Sequence, residues 1–328
     1  MQLVLGLTSG MQLHQIHDLI KVAEKMNIRK VWVGDDIVGA HDVFTVAFSI
    51  LLKHGNISVG IGVTSPLVRN ITTIARASVA LAQIGGDNRF RLGLGVGGLQ
   101  DLRKLGITVR DPTSVLRGAS TLLRDIWKGK KVTFEAGDFK LTHYRSSVNM
   151  RRPIPILLGA RGPKLLNLAG EIADGIVLSG PTTYLKKAIR LVRNSLENNG
   201  RSKEGFSFVV WIPTMVVLQK SDLSLVKQTV AHVLSDTPKN VLEMAELDLV
   251  RVARVKEIFQ RDGVASAASL VDEVLLNETA VQGSVEQVCE NLKAFERMGV
   301  QEVVFGPPFG AKPVTALEKV ADAWRGRA

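Results

Sequence analysis

The sequence predicts an α/β fold, a (β/α)8 TIM barrel with a helical insertion between strands 7 and 8. Short apolar runs of strand length alternate with helical patterns along the 328 residues. These runs are almost continuously apolar, which is typical of strands buried on both faces of a parallel sheet. Eight such runs separated by helices indicate a TIM barrel, and a doubly wound open sheet is the alternative.

The predicted strands cover residues 3–8, 30–35, 58–64, 90–96, 154–159, 175–179, 207–217 and 302–306. Helical periodicity falls between them. After the first strand, apolar side chains recur at i, i+3, i+4 and i+7, and we expect one buried helix face, formed by Ile16, Leu19, Ile20 and Ala23. The helix after the fifth strand is predicted to begin at Pro163 and to end at Gly175.

About 80 residues exceed a minimal barrel, and two segments contain them. Residues 131–152 are interpreted as an exposed β excursion that turns at Ala136-Gly137-Asp138. Residues 220–283 contain amphipathic helices and, by this reading, no strand. No Gly/Ser-rich or Pro-rich linker bounds either segment, so we predict one domain over residues 1–328.

Composition excludes several classes of protein. No run of about 18 apolar residues is present, and the first residues lack a basic region and a cleavage site, so neither a membrane span nor a signal peptide is expected. One cysteine, Cys289, lies on the apolar side of a helical pattern, which predicts a buried thiol, no internal disulfide and a cytoplasmic protein. The net charge of +11 is spread along the chain and aromatic residues are only 5%, which favours an anionic small molecule over nucleic acid as partner.

In a TIM barrel the functional site lies at the C-terminal ends of the strands. Those ends are rich in glycine and small hydroxyl residues: Thr8-Ser9-Gly10, Asp35-Asp36, Thr64-Ser65-Pro66, Gly95-Val96-Gly97-Gly98, Gly159-Ala160-Arg161-Gly162, Ser179-Gly180 and Gly306-Pro307-Pro308. The six histidines are scattered without metal-ligand spacing, so no metal site is predicted. Bare strand ends favour a large flat cofactor that is approached by backbone amides.

The two adjacent acids at the end of the second predicted strand are not a general acid/base pair by spacing. Their side chains point to opposite sides of the strand. We expect one of Asp35 and Asp36 to face the barrel mouth and the other to cap the next helix.

Glycines in two strands raise further possibilities. Gly93, Gly95 and Gly98 match G-x-G-x-x-G, but three βα units precede them, whereas a dinucleotide-binding loop opens the first unit. Gly60 and Gly62 interrupt a buried strand, which indicates either close backbone approach to a ligand or barrel packing. Both explanations stay open at this stage.

The joint at residues 159–163 is a candidate anion site. Pro163 suits the first helical turn, and the backbone N–H groups of Ala160, Arg161 and Gly162 would face the mouth beside the helix dipole and a cationic side chain. A plain βα turn with a solvated arginine is the alternative.

Four segments together resemble a known family: "GVTSPLVRN", "RFRLGLGVGG", "LLGARGPKLLNLAGEIADGIVLS" and the stretch from "SLVDEVLL" to "VVFGPPFG". In order and spacing they are similar to the archaeal-type methylenetetrahydromethanopterin reductases of the bacterial luciferase-like superfamily, which depend on the deazaflavin coenzyme F420. The match runs over most of the chain, and the "GARGP" block is its most specific part.

The resemblance implies an oxidoreductase of one-carbon metabolism that transfers a hydride between F420 and a C1-carrying tetrahydropterin. It places a non-prolyl cis peptide at Gly62-Val63, in a bulge that props the deazaflavin ring, and a ring-proximal acid at Asp35. It places the cofactor phosphate at six residues after strands five and six: Gly159, Ala160, Arg161, Gly162, Ser179 and Gly180. A homodimer or higher homo-oligomer is also implied. With the strand-end residues Thr64, Gly95, Val96 and Gly97, these positions form the predicted cofactor site.

Three positions depart from the family pattern. Thr8 replaces a glutamate, Gly98 replaces an acid, and Asp35-Asp36 replaces Asp-His. Carboxylates near the hydride acceptor would orient or protonate a pterin, so their loss leaves the substrate open. An FMN-dependent monooxygenase of the same superfamily and a non-catalytic cofactor-binding barrel are the alternatives.

Overall fold

The computed structural model describes residues 1–86, 88–136, 139–148, 150 and 152–326. Its strands are β1 Gln2–Thr8, β2 Lys30–Gly34, β3 Ser58–Thr64, β4 Phe90–Leu94, β5 Val132–Ala136, β6 Phe139–Tyr144, β7 Ile156–Gly159, β8 Gly175–Leu178, β9 Ser207–Val210, β10 Thr214–Val216, β11 Val281–Gly283 and β12 Glu302–Phe305. Its helices are α1 Leu13–Lys25, α2 Val43–Lys53, α3 Ile71–Gly85, α4 Leu99–Lys104, α5 Pro112–Trp127, α6 Pro163–Ile172, α7 Thr182–Asn198, α8 Lys220–Asp236, α9 Lys239–Met244, α10 Leu249–Ala268, α11 Glu273–Thr279, α12 Val285–Lys293 and α13 Pro313–Arg325. A 3-10 turn spans Glu296–Met298.

Eight strands close into a parallel barrel in the order β1, β2, β3, β4, β7, β8, β9 and β12. The last strand returns to the first, with Val4 beside Val304. This closure confirms the predicted TIM barrel, and the doubly wound open sheet is wrong because the barrel has no free edge. The alternating helices cover its outer surface.

Both predicted additions to the barrel are present. Strands β5 and β6 form an antiparallel hairpin that pairs Glu135 with Lys140; of the predicted turn, Gly137 and Asp138 lie outside the described residues. Helices α8 to α11 lie between β9 and β12, the seventh and eighth barrel strands, as predicted.

The seventh predicted strand, residues 207–217, is wrong as a single element. Strand β9 ends at Val210, the chain turns through Pro213, and β10 pairs in parallel with β11 in a small separate sheet. The prediction of a strandless 220–283 segment is therefore also wrong. All three β10 residues are buried, and continuous hydrophobicity does not show where a strand leaves the barrel.

Two other sequence expectations are settled by local structure. Helix α6 ends at Ile172, and Gly175 is the first residue of β8 rather than the end of the helix. The predicted face of α1 and the thiol of Cys289 are buried, as expected. Within the described residues, no helix combines the length and the apolar character needed to cross a membrane.

The barrel interior is filled around one aromatic ring. Trp32 of β2 is fully buried with apolar side chains of five other strands: Val4, Leu157, Val177, Val209 and Val304. A methyl group added to Gly60 of β3 would lie 2.4 Å from the Trp32 ring. The packing explanation for Gly60 is therefore the correct one.

A buried carboxylate anchors this ring at the N-terminal end of the barrel. Glu302 accepts hydrogen bonds from Trp32 Nε1 at 2.9 Å, from both terminal nitrogens of Arg91 at 2.9 Å and from Lys30 Nζ at 2.8 Å. Burial opposes ionisation, but these hydrogen bonds and positive charges outweigh it and hold the pKa of Glu302 below its usual value. Glu302 thus fixes the Trp32 ring through a buried network of hydrogen bonds.

Replacing Gly60 with alanine tests this packing. We expect Gly60→Ala to lower the free energy of unfolding by about 2 kcal/mol or more, because the added methyl group meets a ring that Glu302 holds in place. Gly55→Ala is the matched control, since nothing lies within 4 Å of its added methyl group. Equal effects of the two substitutions in urea unfolding would contradict this account.

Candidate active site at the barrel mouth

The mouth of the barrel is lined by backbone. Gly34, Gly62, Gly95 and Gly159 lie at the ends of four neighbouring strands, β2, β3, β4 and β7. Half-buried Trp211, directly after β9, contributes an aromatic surface among them: a methyl group on Gly62 would lie 3.1 Å from its ring and one on Gly34 3.6 Å. Its Nε1 donates to the Gly306 carbonyl oxygen at 2.8 Å.

A bulge interrupts β3 at the mouth. The Gly62-Val63 peptide is cis and not prolyl, at the position that the resemblance implies, and the register between β3 and β4 shifts between Ile61 and Thr64. The Val63 side chain points to the next strands, where methyl groups on Gly95 and Gly159 would lie 2.5 and 2.8 Å from its Cγ2. The bulge thus brings three predicted cofactor positions, Val63, Gly95 and Gly159, into one surface.

Asp35 lies beside this bulge but is fully engaged. Its side chain is 2% exposed and forms a two-pronged ion pair with Arg69, with Nη2 3.1 Å from Oδ1. Thr64 Oγ1 donates to Oδ2 at 2.7 Å. Burial raises the pKa of Asp35, whereas Thr64 and Arg69 act in the opposite direction. The geometry makes Asp35 an anchor for Thr64 and the bulge.

Asp36 does not cap the next helix, and neither does Asp35. The backbone N–H of Asp36 donates to Ser9 Oγ at 2.9 Å, and the carboxylate of Asp36 lies over Gly10. Helix α2 is capped by Asp42, which accepts from the backbone N–H groups of Phe44 and Thr45. The predicted cap is wrong because a loop separates β2 from α2.

The loop after β4 is tied to the loop after β3. Ser65 Oγ donates to the Val96 carbonyl oxygen at 2.7 Å, and the Gly95 N–H donates to the Thr64 carbonyl oxygen at 3.0 Å. Gly97 has a φ of 96°, in the region that favours glycine. The G-x-G-x-x-G match therefore lies in the fourth βα unit of a barrel and not in a dinucleotide-binding unit.

The joint after β7 forms the N-terminus of α6. Gly162 is its N-cap, with a φ of 86° and no side-chain cap, and Pro163 occupies the first turn as predicted. The buried hydroxyl of Tyr184 lies 3.5 Å from the Ala160 carbonyl oxygen, and its ring lies against Gly180, while Ser179 is exposed. Burial raises the pKa of Tyr184 to about 12, so this hydroxyl stays protonated.

Arg161 is not a solvated arginine. Its Nη2 lies 3.0 Å from Oδ2 of Asp236, the last residue of α8 in the helical insertion. A methyl group on Gly162 would lie 2.7 Å from Nδ2 of Asn240, in the same insertion. The insertion therefore reaches the candidate anion site.

Sequence reasoning missed three residues of this site: Arg69, Trp211 and Asp236. Arg69 is the one basic residue within "GVTSPLVRN", so that motif could have identified it. Trp211 lies inside the seventh predicted strand, residues 207–217, and the continuous apolar run there does not show that it belongs to the mouth. Asp236 is 75 residues from Arg161, and no local pattern links the two.

In the part of the chain that the structure describes, no group of three His, Cys, Asp or Glu side chains is placed to hold a metal ion. The polar groups of the mouth are backbone amides and small hydroxyls instead, beside the Asp36 carboxylate over Gly10 and two carboxylates, Asp35 and Asp236, that are each paired with an arginine.

The fold and the mouth define a TIM barrel whose site is built from glycine-rich strand ends and a bulge in the third strand. The profile of the luciferase-like monooxygenase family matches residues 3–302, and the chain belongs to this family. It is 26% identical to the 5,10-methylenetetrahydromethanopterin reductase of Archaeoglobus fulgidus, over 94% of each chain. It is 27% identical to the enzyme of that name from Methanopyrus kandleri, over 93% of this chain and 92% of that one.

Solved structures agree in fold. The coenzyme F420-dependent tetrahydromethanopterin reductase of Methanopyrus kandleri superposes with a TM-score of 0.87 at 22% identity, over 99% of this chain and 98% of that one. An F420-dependent secondary alcohol dehydrogenase has a TM-score of 0.81 at 18% identity, over 99% of each chain. An EDTA monooxygenase from Chelativorans has a TM-score of 0.70 at 13% identity, over 100% and 94%.

Removing the cation beside Asp35 tests the anchor at the bulge. We expect Arg69→Met to lower the free energy of unfolding by about 3 kcal/mol, because it leaves a buried carboxylate without its partner. Adding Asp35→Asn to that variant should recover most of the loss. Asp42→Asn is the control, since that carboxylate also binds Arg69 but is 46% exposed. Failure of the double variant to recover stability in urea unfolding would show that Arg69 acts through other contacts.

Proposed function

We propose that this chain is a coenzyme F420-dependent oxidoreductase, which transfers a hydride between the deazaflavin and a C1-carrying tetrahydropterin or a related small substrate. The likeness to methylenetetrahydromethanopterin reductases over 94% of both chains carries the proposal. The glycine-lined mouth around Gly62-Val63 supports it from the structure.

The residues of the mouth fit a flat ring. Gly34, Gly62 and Gly159 have no side chains and are partly exposed, and Val63 and Trp211 add apolar surface beside them. In the proposal Gly62, Val63 and Thr64 support the ring, with the loop residues Gly95, Val96 and Gly97 next to them. The cofactor phosphate is assigned to Gly159, Ala160, Arg161 and Gly162, with Ser179 and Gly180.

Orientation and exclusion of water are the protein's main contributions to such a reaction. Coenzyme F420, when bound, supplies the hydride carrier. Asp35 is bound by Arg69, Thr8 and Gly98 have no carboxylate, and the carboxylate of Asp36 lies over Gly10. Hydride transfer between two oriented rings requires proximity above all, and the backbone-lined mouth provides it.

An FMN-dependent monooxygenase is the second candidate, because the family profile is described as that of luciferase-like monooxygenases and an EDTA monooxygenase shares the fold. The EDTA monooxygenase structure superposes on this chain with a TM-score of 0.70, which is lower than the 0.87 of the F420-dependent reductase. We therefore place it second, ahead of a non-catalytic cofactor-binding barrel.

We further propose one catalytic domain that works in the cytoplasm as a homodimer or higher homo-oligomer, on the strength of the resemblance to archaeal-type reductases. A small-molecule substrate and no nucleic-acid partner complete the proposal. The spread of the +11 net charge along the chain supports the latter.

Turnover tests the proposed reaction. We expect the protein to oxidise reduced F420 when methylenetetrahydromethanopterin is added, measured anaerobically as the return of the absorbance of oxidised F420. Acetone in place of the pterin tests a secondary-alcohol activity like that of the second structural relative. If the protein binds F420 but turns over with neither acceptor, the proposed substrate is wrong and the proposed cofactor is still supported.

A further inference from the structure

We propose that Asp236 is an internal competitor for the anionic group of the cofactor, so that it sets the affinity of the site at the N-terminus of α6. This inference rests on the proposed function, because it assigns the cofactor phosphate to that site. Its basis is that a carboxylate of the insertion already occupies the guanidinium of Arg161.

The contacts of Asp236 join two strand-to-helix connections of the mouth. Oδ2 lies 3.0 Å from Arg161 Nη2, in the loop after β7. Oδ1 accepts from the Gln100 N–H at 3.3 Å, in the first turn of α4, the helix that follows β4. The two side chains of the ion pair are 29% and 19% exposed, so the pair is partly shielded from water and a third ion can reach it. Asp236 is thus placed where an anion bound to both the loop after β7 and the start of α4 would lie.

The position of Asp236 in its own helix is unfavourable for a negative charge. It is the last residue of α8, at the negative end of the helix dipole. Its carboxylate is therefore stabilised there by Arg161 and by the cation of Lys256, which donates to the adjacent Thr237 carbonyl oxygen at 2.6 Å. Burial lowers the pKa of Lys256, and Asp236 acts in the opposite direction.

A phosphate that binds at this site lies close to both positive and negative groups. The helix N-terminus and Arg161 attract it, and the carboxylate on Arg161 repels it at close range. Binding of the phosphate therefore requires Asp236 to give up Arg161. The same exchange releases the contact between the end of α8 and the loop after β7, which links cofactor binding to the insertion.

Neutralising Asp236 without changing its shape tests the competition. We expect Asp236→Asn to bind F420 about five- to tenfold more tightly than the wild-type protein, because Arg161 becomes available and one repulsive charge is lost. The affinity for the phosphate-free deazaflavin nucleoside should not change. Both titrations can be followed by fluorescence of the deazaflavin.

Three further variants isolate the mechanism. Asp322→Asn removes an exposed carboxylate that pairs with Arg325 in α13, and it should leave the F420 affinity within about twofold of the wild type. Arg161→Gln should weaken F420 binding, and in the Arg161→Gln/Asp236→Asn double variant the gain from Asp236→Asn should disappear.

Each outcome has one meaning. Weaker F420 binding by Asp236→Asn would show that Asp236 positions Arg161 for the ligand, and would overturn the competition, as would unchanged binding. A gain that also extends to the phosphate-free nucleoside would overturn it too. If the wild-type protein binds no F420 at all, the proposed function fails, and this inference fails with it.

Discussion

The packing of Trp32 inside the barrel is the constraint on which the rest of the site depends. Its ring is fixed from below by Glu302, which also binds Arg91 and Lys30, and it fills the space between the strands. Strand β3 can pass this ring only with a glycine at position 60. In the next layer of side chains toward the mouth, Val63 lies against Gly95 and Gly159, and Trp211 lies against Gly62.

Two carboxylates at the mouth, Asp35 and Asp236, are each paired with an arginine, and the pairs lie on different sides of it. The Asp35–Arg69 pair fixes Thr64 and the bulge, where the flat ring of the cofactor is proposed to lie. The Asp236–Arg161 pair joins the helical insertion to the proposed phosphate site. The first pair is buried and structural, whereas the second is open enough to exchange with a ligand. This division agrees with a protein that orients a hydride carrier and supplies little acid or base chemistry.

The barrel, its eight strands and the two additions were predictable because strands buried on both faces are marked by continuous hydrophobicity. The same signal failed after Val210, since the residues of β10 are as apolar as those of β9 although they belong to another sheet. The glycine-rich strand ends and the joint at residues 159–163 were also visible in the sequence. Arg161 was identified, but its partner was not, because an ion pair between residues 75 positions apart leaves no local pattern. The prediction that Asp35 or Asp36 caps α2 was wrong for a related reason, because the sequence does not show how long the loop before that helix is.

Equilibrium binding of F420 and of FMN to the wild-type protein tests the central claim most directly. A mouth that holds a deazaflavin ring on Gly62-Val63 and its phosphate at the N-terminus of α6 predicts saturable F420 binding that competing FMN does not displace at equal concentration. Tight binding of FMN with no binding of F420 would contradict the account and would assign this barrel to the monooxygenase branch of its family.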